Sequence, residues 1–96
     1  MEELAKLQDW YGAQCNGSWE HTYGISLETI DNPGWHLKID IVDTVLAAKS
    51  FPEVKYQGQD KHDWYICKVD GATFEAFSGP TNLAIVIGIF VHWINR

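Results

Sequence analysis

The sequence predicts an α+β domain: an N-terminal helix, an antiparallel sheet of about four to six strands, and a C-terminal helix packed on the sheet. Three observations predict it. Apolar residues recur at helical spacing over Glu2 to Gln14 and again after Asn82. They alternate with period two on both sides of Asp31-Asn32-Pro33-Gly34, and a second alternating pair flanks Asp70-Gly71, so the sheet is built from two hairpins plus a short strand. The 96 residues form one domain, 1–96, and a chain of that size buries about two-thirds of its surface, enough for one core.

In the first helix Leu4, Leu7 and Tyr11 form the apolar stripe, with Trp10 on its flank. Glu2 and Glu3 suit the positive end of the helix dipole, and Asn16-Gly17 stops the helix because both tolerate the left-handed conformation. Tyr23, Ile25 and Leu27 then alternate with polar residues, as do Trp35, Leu37, Ile39 and Ile41 beyond the turn. Pro33-Gly34 suits the centre of a type II turn. Ile25 and Leu27 can share a face with Leu37, Ile39 or Ile41 only across a loop of odd length, three or five residues, or a bulge.

Residues 44–62 carry the weakest pattern. Val54 and Tyr56 around Lys55 make a short strand, Pro52 marks an edge or a strand start, and Gln57 to Lys61 is a polar loop. Asp70-Gly71 is the strongest hairpin signal. A two-residue loop there pairs Val69 with Ala72, Cys67 with Phe74 and Tyr65 with Ala76. The opposite face then carries Lys68 with Thr73, Ile66 with Glu75 and Trp64 with Phe77. Gly79-Pro80-Thr81-Asn82 opens the last helix, with Thr81 or Asn82 as its cap. Its core stripe is Leu83, Val86, Ile87, Phe90 and Ile94, yet Ala84, Ile85, Ile89, Val91 and Trp93 make it apolar almost all round. Such a helix is buried on more than one side or meets another chain.

The net charge of −6 disfavours nucleic acid as a direct partner, because phosphate binding needs a basic stripe; it suits a basic protein partner instead. The longest apolar run, Leu83 to Val91, is far too short to cross a membrane. The acidic start lacks the features of a secretory signal, so a cytoplasmic protein with no membrane partner is expected. In that compartment Cys15 and Cys67 are two reduced thiols.

No metal site is expected, since the four histidines and two cysteines lack a near pair at ligand spacing, and no cofactor motif occurs. Cys67 faces the expected core, and Cys15 ends a helix where the dipole disfavours a thiolate, so neither reads as a nucleophile. Glu20-His21, after Trp19, could serve acid–base chemistry; the plainer reading is a loop carboxylate bonding backbone donors while Trp19 covers the core. Many aspartates fall at strand ends and loops, and Asp40 joins Lys38 and His36 on an outer face. An acidic surface bearing Trp35 or Trp64 has the composition of a protein-binding hot spot.

Several strings then stand in a fixed order: Trp10-Tyr11, Gln14-Cys15, Gly17, Trp19-Glu20-His21, Tyr23-Gly24-Ile25 and Asp31-Asn32-Pro33-Gly34-Trp35. Ile39-Asp40, Thr44, Asp63-Trp64, Cys67-Lys68-Val69, Phe74-Glu75, Gly79-Pro80, Asn82-Leu83, Ile89-Phe90 and Trp93 follow. With these, the chain resembles the immunity protein 53 family of bacterial polymorphic toxin systems over about residues 10 to 93. The resemblance implies a non-enzymatic intracellular antidote that binds a toxin domain and blocks it. Many proteins of such systems counter nucleases, whose basic surfaces suit this chain's charge. One departure stands out: Ala84, Ile85, Gly88 and His92 lie where acidic or polar residues are expected, which points toward self-association.

The expected toxin contacts are Glu20, Asp31, Trp35, Asp40, Asp43 and Asp63; the expected self-association contacts, in a homodimer through the last helix, are Ile85, Ile89, His92 and Trp93. The competing readings are a small-molecule or peptide binding module with no toxin partner, and a small hydrolase or transferase using Glu20 and His21.

Overall fold

A computed structural model describes residues 2–96; Met1, the first residue of the expected domain, lies outside the described residues. The chain runs α1 (Glu2–Gln14), a 3-10 turn (Trp19–His21), β1 (Ile25–Ile30), β2 (Gly34–Asp40), a second 3-10 turn (Val45–Ala48), β3 (Val54–Gln57), β4 (Trp64–Asp70), β5 (Thr73–Ser78) and α2 (Leu83–Ile94). The five strands form one antiparallel sheet in the order β1-β2-β5-β4-β3, so the two hairpins meet at β2–β5 and the sheet ends in β1 and β3. This is the α+β architecture the sequence predicts.

The first hairpin has the three-residue loop: Ile25 opposes Ile39, Leu27 opposes Leu37 and Ile30 opposes Gly34, leaving Asp31, Asn32 and Pro33 to turn the chain. The type II expectation fails. The Asn32–Pro33 bond is cis, and Gly34 is the first residue of β2 without the positive φ such a turn requires there. Glycine serves a different end at this position: a Cβ on Gly34 would run into the Ser78 carbonyl oxygen of β5.

The second hairpin is offset by two from the expected register. Val69 opposes Phe74, Cys67 opposes Ala76, Tyr65 opposes Ser78, Lys68 opposes Glu75 and Ile66 opposes Phe77. Asp70 and Thr73 close the ladder, so the two-residue loop is Gly71-Ala72. Gly71, at φ 62°, supplies the positive φ at the first central position, as a type II′ connection demands; a loop centred on Asp70-Gly71 would need it at Asp70 as well. A shift of two preserves the faces, so the sorting of side chains survives the error.

Both helices cover one face of the sheet. Leu37, Ile39, Cys67, Phe74 and Ala76 point into it and meet Val86, Phe90 and Trp93 of α2 and Leu7 and Trp10 of α1. The expected helix stripes are both corrected. In α1 the buried pair is Leu7 and Trp10, the latter edge-on to Phe90 at 5.1 Å, while Leu4 and Tyr11 are 44% and 36% exposed. The helix turns this face because it packs chiefly on α2 and only its flank meets β1. In α2, Leu83 and Ile94 are half-buried while Val91 and Trp93 are buried, because the helix is covered by the sheet on one side and by α1 on another.

The weakly patterned connection is ordered by two anchors rather than by a period. Thr44 Oγ1 accepts from the Leu46 amide at 3.2 Å and starts the 3-10 turn that buries Leu46. Phe51 packs edge-on against Phe74 at 5.3 Å and Trp93 at 5.0 Å. Between them Lys49 Nζ donates to the Trp93 and Arg96 carbonyls, both at 2.6 Å, placing a cation at the negative end of α2.

Candidate partner-binding surface

The sheet separates the expected toxin contacts into two groups. Glu20, Asp40 and Asp43 lie at one end of the strands: Asp40 Oδ2 accepts from Gly24 N at 3.0 Å, and Trp19 Nε1 donates to the Val42 carbonyl at 2.7 Å, drawing the first 3-10 turn beside Asp43. Asp31, Trp35 and Asp63 lie at the other end, about 20 Å away along the seven residues of β2. They do not form one continuous acidic face.

Their local roles differ too. Glu20 is a loop carboxylate holding backbone donors: Asn16 N at 3.0 Å and Gly17 N at 2.9 Å. A backbone hydrogen bond from its own residue, then those from Asn16 and Gly17, with His21 nearby, hold its carboxyl below the usual value despite partial desolvation. Trp19 is buried over the core beside it. Asp63 accepts from Asn82 Nδ2 at 2.9 Å and from the Tyr56 hydroxyl at 3.1 Å, a bond that pushes the Tyr56 pKa up. Asn82 stands at the N-cap position of α2, but its side chain ties β4 to the helix and caps nothing, and its Oδ1 is buried without a partner. Trp35 lies on the helix-covered side and donates to the Pro80 carbonyl at 3.0 Å. Asp31 and Asp43 are exposed.

The expected self-association residues also divide. Trp93 is 1% exposed, and its indole donates to Ser50 O at 3.0 Å, so it belongs to the core, with only its edge reaching the surface. Ile85, Ile89 and His92 do line a shallow groove of about 330 Å³ with Phe51, Pro52 and Val54. Cys67 is fully buried, and burial pushes its thiol up to about 12; Cys15 is half-buried, its thiol against the Tyr11 carbonyl at 3.4 Å. Among the described residues no cluster of histidine, cysteine, aspartate or glutamate could hold a metal.

The sheet face away from the helices carries Trp64, Ile66, Phe77, His36 and Glu75. His36 stacks on Phe77 at 4.2 Å, its Nε2 lies 2.7 Å from Glu75, and Lys68 stands 4.0 Å from the other oxygen of that carboxylate. The Glu75 carboxylate is thereby shared between His36 and Lys68.

The largest asymmetry of charge lies elsewhere. From residue 7 to residue 37 the chain contains Asp9, Glu20, Glu28 and Asp31 and no lysine or arginine. That stretch builds most of α1, the first 3-10 turn, β1 and its turn, one flank of the molecule. Beyond it, Lys38, Lys49, Lys55, Lys61, Lys68 and Arg96 nearly balance the acids. Leu7, Gln8 and Tyr11 of α1 line a groove of about 350 Å³ with Gly24 and Ile25 on this flank. Glu28 and the exposed Leu27, at 47%, are the residues that sequence reasoning passed over; the gap between Lys6 and Lys38 was the signal that could have found them.

No curated protein and no solved structure matches the chain. The family profile described as immunity protein 53 does, over residues 4–95. That span takes in every strand, α2 and all but the first two residues of α1, and on it this chain belongs to the immunity protein 53 family.

Proposed function

We propose that the chain is a non-enzymatic antidote that binds a cognate polymorphic toxin domain and neutralises it by covering its working surface, inside the cell that makes it. Family membership supports an immunity protein and a protein partner. The observation that carries the reading further is the charge distribution: residues 7–37 contain four acids and no lysine or arginine, and at the β1 edge Glu28, Asp31 and Asp40 outnumber Lys38, which opposes Ser26. A basic partner, such as a nuclease domain, is steered to that flank by its field, and packing against the apolar groove beside β1 then slows release. Glu28 and Asp31, with Asp40 at the far end of the strand, are the proposed charged contacts; Trp35 and Asp63 support the fold. Backbone donors occupy the Glu20 carboxylate, so Glu20 serves the loop rather than acid–base chemistry in this reading.

The test is a tagged pull-down from the host followed by reconstitution of the captured domain. A stoichiometric complex that abolishes the captured domain's activity, with association slowing as salt rises, is the expected result. A captured toxin whose activity persists in the complex overturns the reading.

The groove of Ile85, Ile89 and His92, with Ile85 46% exposed, favours a second reading in which two copies meet through α2. Sedimentation of the parent chain against Ile85→Asp decides it: a dimer lost on substitution supports it, and a monomeric parent overturns it.

A further inference from the structure

We propose that the free edge of β1 is the toxin-binding element, and that it takes an extended segment of the partner as a sixth strand, one alternating apolar with basic side chains. This rests on the antidote reading and assigns its mode of binding.

The two edges of the sheet differ. β3 is guarded: it has only four residues, Lys55 sits inside it, and Pro52 and Glu53 precede it. β1 has six residues in unbroken register, Ile25 to Ile30, with no lysine, proline or bulge. Natural sheets blunt their edges with those devices, because a bare edge is a template for another strand.

The backbone supplies the recognition. Asp40 N donates to Gly24 O at 3.0 Å, which makes Gly24–Asp40 a hydrogen-bonded pair of the ladder. Antiparallel alternation then directs Ser26, Glu28 and Ile30 toward β2, leaving the N–H and C=O of Ile25, Leu27 and Thr29 aimed away from the sheet.

The side chains define the partner. Ile25 and Leu27 share the helix-covered face, where α1 adds Leu7 and Tyr11 to the groove beside the strand. An incoming strand would lay every second side chain on that face, beside Leu27 and, next to Ile25, into the groove, so those residues are apolar. The others would emerge on the opposite face beside Glu28, with Asp31 at one end of β1 and Asp40 at the other, three carboxylates against Lys38, which opposes Ser26 from the neighbouring strand. That charge calls for lysine or arginine. It also opposes pairing with a second copy, which would bring two acidic flanks together.

The probe is a capped peptide of alternating valine and lysine, with an alternating valine and glutamate peptide as its counterpart, and the readout is amide exchange of the intact chain by nuclear magnetic resonance. In the free protein the Ile25, Leu27 and Thr29 amides should exchange fast while Ser26, Glu28 and Ile30 are protected. The lysine peptide should protect the first three and the glutamate peptide should not. Protection or shifts confined to the open face around His36, Trp64 and Phe77 overturn the proposal. So does concentration-dependent protection of the β1 amides without peptide, since a second copy would then occupy the edge.

Leu27→Lys guards the edge, setting an ammonium on the apolar side and against the partner's own bases, and should weaken binding of the captured toxin domain at least about tenfold. Leu27→Pro removes only an outward N–H and should do the same; circular dichroism shows whether each variant keeps the fold, and Leu27→Lys carries the test if the proline does not. Unchanged toxin affinity in a folded variant overturns strand addition and leaves the antidote reading standing. A captured domain that stays active in the complex overturns the antidote reading alone, since the peptide arm still decides the edge.

Discussion

Replacing Trp93 separates a core residue from an interface residue, the two roles its position in an all-round apolar helix allows. The indole is 1% exposed, 5.0 Å from Phe51 and 6.1 Å from Phe90, and donates to Ser50 O at 3.0 Å. Trp93→Phe keeps an aromatic ring but loses that hydrogen bond, worth about 1 kcal/mol, and leaves a void the size of the missing ring atoms, worth about 1–2 kcal/mol. The expected loss is therefore about 2–3 kcal/mol. At about 4–8 °C per kcal/mol for a chain this short, Tm falls by roughly 10–20 °C. Trp93→Ala should cost about 3–5 kcal/mol from truncation alone, a large share of the stability of a small domain. Urea titration followed by circular dichroism measures both, with an unchanged slope as evidence that the unfolded state is unaffected. Ile85→Gln, on the exposed side of the same helix, should stay within about 0.5 kcal/mol of the parent. A Trp93→Phe protein as stable as the parent but altered in sedimentation would refute the burial argument and return Trp93 to an interface.

The remaining predictions probe the loop, the thiols and the backbone. Above the ordinary carboxyl range Glu20 is ionised and holds the Asn16 and Gly17 amides; its lowered pKa means this stabilisation is lost as pH falls through the folded-state value. The protection of those two amides, taken relative to their intrinsic exchange rate at each pH, should therefore fall in acid, and Glu20→Gln should remove that pH dependence. A thiol reagent at neutral pH should label Cys15 in the native protein and reach Cys67 only on unfolding, because Cys67 is enclosed and its pKa is about 12; mass spectrometry counts the adducts. Gly12→Ala, with nothing within 4 Å of the new methyl inside α1, should raise stability by about 0.5–1 kcal/mol. Gly34→Ala drives a methyl against the Ser78 carbonyl and should lower stability by about 1–3 kcal/mol in the same denaturation assay.

Legibility followed range. The helix bounds, both hairpins and the short strand around Lys55 were readable because periodicity and turn residues act over a few positions. The two-residue offset in the second hairpin escaped, since Asp70-Gly71 and Gly71-Ala72 both place a glycine at a central position and sort the same side chains to the same faces. The roles of Trp93, Leu4 and Tyr11 escaped for another reason: a helix pattern gives an apolar arc but not which part of it a neighbour covers. The binding surface was least legible. Acids at Glu20, Asp31, Asp40, Asp43 and Asp63 are equivalent letters until the sheet sends them to opposite ends and spends Asp63 on Asn82 and Tyr56.

By itself, then, the sequence determined the two helices, the two hairpins and the short strand between them, the α+β class and the family the chain resembles, all matters of local pattern and composition. Only the tertiary structure decided that β1 and β3 are the edges, that β1 is the unguarded one, and that α1 lays an apolar groove beside it. Strand order depends on contacts between residues far apart in the chain, such as Leu37 against Ala76, and no local propensity encodes which strand is left without a neighbour.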